Sequence, residues 1–165
     1  MVSIVGVFVS AIRVQRYSLS QQQLLNQTSF AMEYMSRFLR MARKDTSGTC
    51  IPIKTNYREG AGSVEFENYR GKCQKFYTSN NADCSTPDAD GTHLCQDLEG
   101  MQSLPLTSND LVVKDFRVKV VGQRETDDTQ PRVTLFLRVE GKGMNPPTLQ
   151  IQTTVSQRNL DIQED

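Results

Sequence analysis

Met1 to Ile12 carry no charge and read as apolar on every side. From Gln15 the pattern changes. Leu25, Thr28, Met32, Met35, Leu39 and Ala42 recur at steps of three and four, and Leu24, Ala31 and Phe38 repeat every seventh position beside them. Such spacing predicts an amphipathic helix with one buried face. No Pro or Gly interrupts residues 7–47, Arg40, Arg43 and Lys44 suit the negative end of a helix dipole, and Ser47 with Gly48 supplies a stop. A continuous helix from Met1 to Lys44 would be about 65 Å long, against about 17 Å for an average globular helix. A small domain cannot cover that length. Residues 1–24 are therefore expected to be an apolar membrane or filament segment, and residues 25–165 a head comprising helix 25–44 and a β-sheet.

Past residue 48 the period falls to two, with candidate strands at Thr49–Thr55, Ser63–Tyr69 and Lys72–Thr78, the last two joined as a hairpin by Arg70 and Gly71. Residues 79–93 form a polar loop, followed by a short strand at Leu94–Asp97. The clearest strands are Leu111–Val121, Arg132–Glu140 and Thr148–Gln157, where Val133, Leu135, Leu137 and Val139 share one face and Leu149, Ile151, Thr153 and Val155 share another. Their connections, GQRETDDTQP and GKGMNPP, suit the exposed turns of an antiparallel meander. The expected fold class is α+β: a long N-terminal helix packed by its C-terminal half on an antiparallel β-sheet.

Formal charge is zero, but it is distributed unevenly. Residues 1–44 carry six Arg or Lys against Glu33 alone, and the remainder thirteen against eighteen acids. The basic residues fall in two clusters without an interleaved aromatic platform, so nucleic acid is not an expected partner. Cys50, Cys73, Cys84 and Cys95 are too widely spaced for a zinc ribbon and fit a disulfide framework in an oxidising compartment. Three pairings are open. The turn-rich stretch between Cys84 and Cys95 favours joining those two, and Cys50 to Cys73.

A long apolar-to-amphipathic helix ahead of an antiparallel sheet resembles type IV pilins and the pseudopilins of type II secretion systems. MVSIVGVFVSAIRVQRYSLSQQQ is similar to the apolar run that follows the acidic residue of those proteins. LTSNDLVVKDFRVKVVG at 106–122, QPRVTLFLRVEG at 130–141 and LQIQTTVSQRNL at 149–160 resemble the minor pseudopilin branch. The resemblance implies an N-terminus truncated relative to the family, whose Gly-Phe cleavage site and acidic registration residue would precede Met1. It also implies a non-enzymatic structural subunit that assembles through Val5, Phe8, Val9, Ile12, Leu24 and Leu25. Its partners would be other pilin or pseudopilin subunits, the inner membrane before assembly, and prepilin peptidase acting on the full-length precursor. The head would lie in the periplasm or outside the cell, and in a surface filament after assembly.

Chemistry has few carriers. His93 is the single histidine, and no G-x-S-x-G, P-loop or H-E-x-x-H pattern occurs. No resident cofactor is expected. Asp83, Asp88 and Asp90, with Asn80, Asn81 and Gly91, supply hard oxygen ligands at short spacing that suit calcium, although Pro87 interrupts the register and the glutamate of an EF-hand is missing. This loop supports an alternative function: a membrane-tethered extracytoplasmic binding module that uses the acidic cystine loop 79–98. A third reading is a soluble α+β domain in which the N-terminal apolar run is core.

Overall fold

The structure, a computed structural model, describes residues 2–124, 129–143 and 146–158. Met1, parts of both meander connections (125–128 and 144–145) and the end of the 149–160 segment therefore lie outside the described residues. Helix α1 runs over Val2–Arg40, 39 residues or about 58 Å. It ends four residues short of Lys44. Met41 and Ala42 tighten the last turn by donating to Phe38 O and Leu39 O, and Arg43 N–H then leaves the helix for the carbonyl of Glu67 at 2.9 Å. Once Arg43 is bridged to a strand, the chain cannot remain helical to Ser47.

Residues 41–57 are irregular, and the predicted strand Thr49–Thr55 does not form. Asp45 is the reason. Its Oδ1 accepts from Ser47 N, Ser47 Oγ and Gly48 N, and its Oδ2 from Cys50 N and Ile51 N, at 2.6–3.1 Å. Amides that a ladder would need are wound around one carboxylate instead.

Strands β1 (Arg58–Gly60), β2 (Ser63–Glu67), β3 (Cys73–Ser79), β4 (His93–Leu98) and β5 (Leu104–Pro105) form one antiparallel sheet in sequential order. Val64 faces Phe76, and Phe76 faces Gln96. The β2–β3 hairpin turns through Gly71 at φ 72°, with Asn68 Oδ1 accepting from Arg70 N and Lys72 N. Strands β6 (Leu111–Val121), β7 (Arg132–Gly141) and β8 (Thr148–Ser156) form a second, three-stranded antiparallel meander. A bulge between Val113 and Asp115 shifts the phase of β6, so Val113 and then Phe116, Val118 and Val120 all turn inward.

The expected single sheet under a helix is thus corrected to two antiparallel sheets of eight strands with one helix, an α+β arrangement that is mostly β. Two contacts made by β6 explain the division. Its Val113 N–H donates to Thr92 O at 2.8 Å, and its Val120 N–H to the Glu59 carboxylate at 2.8 Å. A loop carbonyl and a side chain take donors that would otherwise continue a ladder into the first sheet.

One core joins all three layers. Leu24, Ala31, Met32, Met35 and Leu39 of α1 pack with Leu135, Leu137 and Val139 of β7, Val155 of β8, and Val64, Phe66 and Phe76 of the first sheet. Thr28, fully buried within this stripe, satisfies its hydroxyl on Leu24 O at 2.6 Å.

Candidate assembly surface and cystine loop

The buried stripe of α1 begins at Leu24, and from Val5 to Leu19 no described side chain is buried. Phe8 is 66 % exposed, Val5 63 % and Val9 41 %, while Ile12 is half-buried. Val5, Phe8, Val9 and Ile12 lie one turn apart along a single face. Val7 and Val14 are exposed as well, so the helix is apolar around much of its circumference. Ser10 does not interrupt this surface, because its hydroxyl donates to Val7 O at 2.8 Å. Among the described residues no helix is long and apolar enough to cross a membrane.

Leu24 and Leu25, adjacent in sequence, part company in space. Leu24 is 2 % exposed and belongs to the head core, whereas Leu25 is 50 % exposed and remains with the open surface. Pattern reading passed over Val7, Val14, Tyr17, Leu19 and Phe30, all exposed apolar side chains of α1. The available signal was their position off the buried stripe. Farther along, Phe30, Tyr34 and Phe38 stack at ring separations of 6.1 and 4.8 Å, and Phe38 continues to Tyr69 at 6.3 Å. This aromatic row fastens the helix flank to the first sheet.

Two disulfides form, Cys50–Cys73 and Cys84–Cys95, with Cα separations of 5.1 and 5.8 Å. The first ties the Asp45 turn to the start of β3. The second closes the loop leading into β4, where Cys84, Cys95 and Tyr77 make a small buried cluster and the Tyr77 hydroxyl donates to Cys84 O at 2.6 Å. The loop is pressed onto β3 at Gly91, where any Cβ would collide with the backbone of Ser79.

The acidic residues of this loop serve its turns. Asp83 Oδ1 accepts from Ser85 N, and hydrogen bonds from the Ser85 amide and hydroxyl hold the Asp83 carboxyl below its ordinary range. Asp88 Oδ1 accepts from Asp90 N, and Oδ2 from the Asn80 amide at 2.5 Å. Among the described residues no group of three or more His, Cys, Asp or Glu converges as a metal site. His93 stands half-buried at the start of β4.

No family model matches this chain, and neither the curated proteins nor the solved structures include a match to it.

Proposed function

We propose that the chain is a structural subunit, of the minor kind, of a type IV pilus or type II secretion pseudopilus, and that it assembles through the N-terminal half of α1. One observation carries this reading: a helix continuous with the head core presents Val5, Phe8 and Val9 to solvent. Burying a side chain of this size is worth about 1.5–3 kcal/mol, so leaving three of them in water forgoes several kcal/mol that lipid or neighbouring helices would return. Before assembly the apolar segment rests in lipid, and in the filament it exchanges lipid for helix contact. Which neighbour it accepts depends on complementarity along the bundle. The stapled head supports a role outside the cytoplasm, since disulfides persist in oxidising compartments.

The test is proximity in cells that assemble the native system. With a thiol-specific cross-linker, Phe8→Cys and Val5→Cys should give adducts to a second subunit, and exposed Arg138→Cys on the head should not. Phe8→Cys remaining uncross-linked while the chain is present and folded would refute the reading.

A further inference from the structure

Where the apolar half of α1 meets the head, a groove of about 780 Å³ opens between the helix and the β7–β8 connection. Arg13 and Arg16 line it from the helix and Lys142 from the connection, with Tyr17, Pro146 and Pro147 providing apolar wall. Among the described residues no carboxylate lines it, and Arg13, Arg16 and Lys142 form no ion pair. The far wall is held in place. Gly141 N–H donates to Pro147 O at 2.9 Å, Lys142 N–H donates to Asp110 O at 3.2 Å, and Gly141 sits close enough to Ser20 that an added Cβ would lie 3.4 Å from its hydroxyl.

We infer that this groove seats the phosphate of an anionic phospholipid when the apolar end of α1 enters a bilayer. The occupant is specified by what adjoins the groove. Phe8 lies about 7.5 Å along the helix from Arg13, so exposed apolar surface begins within two turns of the cations. Tyr17, 47 % exposed with its hydroxyl accepting from Gln21 at 3.2 Å, has the apolar body and polar tip favoured at that boundary. Three cations converging on one cavity, directly above an uncharged apolar rod, complement a lipid that is an anion at one end and hydrocarbon at the other. Each cation near an anionic surface strengthens binding by about fivefold, so the three together contribute about a hundredfold, screened by salt.

The inference rests on the reading that the apolar half of α1 enters lipid, and its test separates the two. The full chain is measured against phosphatidylcholine vesicles and against vesicles of phosphatidylcholine with an equal amount of phosphatidylglycerol. The wild type should prefer the anionic vesicles by about a hundredfold, and the combined Arg13→Gln, Arg16→Gln, Lys142→Gln variant should lose that preference while keeping its binding to neutral vesicles. A charge-matched variant on the head, Arg70→Gln, Lys75→Gln, Arg138→Gln, should retain it. Equal loss in both variants, or none in the groove variant, overturns the inference. So does competition by inorganic phosphate at constant ionic strength, which would make the occupant a soluble anion. Any of these results with Phe8→Cys cross-links intact leaves the subunit reading standing; missing cross-links with the lipid preference intact removes that reading alone.

Discussion

The Tyr57 hydroxyl donates a 2.6 Å hydrogen bond to the backbone carbonyl of Leu39, in the last turn of α1. Helices leave their final carbonyls without intrahelical partners, and here a side chain from the irregular segment 41–57 supplies one inside the core. Burial pushes the Tyr57 phenol above its ordinary pKa, so it stays a donor throughout the range in which the protein is handled. Tyr57→Phe should cost about 0.5–1.5 kcal/mol in urea unfolding, because Leu39 O keeps its weaker bond from Ala42 N. An unchanged midpoint would show that this bond does not hold the helix end.

Asp45 gives the protein its acid sensitivity. Burial acts to raise its carboxyl pKa, but the amides of Ile51 and Cys50, the Ser47 hydroxyl and the Gly48 amide outweigh it and hold the group well below the usual carboxylate range. With the folded pKa below the unfolded one, the unfolded state binds more protons as pH falls. The stabilisation is complete above about pH 5, roughly one unit over the unfolded value of about 3.9, and is lost progressively as pH drops from there toward the folded one. Glu67 works in the opposite sense: burial and the Asp45 charge raise its pKa, against the pull of Arg43, so it favours the folded state at low pH. Asp45→Asn isolates the first effect. The amide turns an NH2 toward amides that now meet an acceptor, costing about 3 kcal/mol at neutral pH. The fall in stability below pH 5 should flatten in this variant, and an identical pH profile would place the acid sensitivity elsewhere.

The extent to which the fold can be read from sequence follows from how local its causes are. Strands β6, β7 and β8 are legible because Val133, Leu135, Leu137 and Val139 alternate inward along a strand long enough to show a period. Strands β1 and β5, three and two residues long, have no period to show. The strand expected at Thr49–Thr55 has strand-like composition, and its fate depends on a carboxylate outside it, at Asp45. The division into two sheets depends on Glu59 reaching Val120 across 61 residues of sequence, which no pattern announces. In the candidate surface, the apolar run was visible, but its inner end was not: the three- and four-residue steps put Leu25 first on the buried face with Leu24 beside it, whereas in the fold Leu24 is buried and Leu25 half-exposed.

The two disulfides differ in access. Cys84 and Cys95 are buried, whereas Cys50 and Cys73 are both half-buried at the surface of the Asp45 turn. Mild reductant should therefore open Cys50–Cys73 first, as read by alkylation and peptide mass, and reduction of Cys84–Cys95 before it would contradict the packing. Cys50→Ser with Cys73→Ser releases a closure spanning 23 residues and should lower stability by about 3 kcal/mol in the chain-entropy account.

Leu24 and Leu25 provide the sharpest division between the head and the exposed apolar half of α1. Leu24→Ala removes a side chain buried in the core that α1 shares with both sheets, and should cost about 2–4 kcal/mol in thermal or urea unfolding. Leu25→Ala takes atoms from a half-exposed position and should fall within about 0.5 kcal/mol of the wild type. Deletion of residues 2–19 should resemble Leu25→Ala in its effect on the unfolding midpoint, because none of the described side chains from Val5 to Leu19 is buried. It should also abolish binding to vesicles of any composition. A head that unfolds on that deletion would make the apolar run a structural part of the domain, and the contrast between the two leucines would then carry no information about where the proposed assembly segment begins.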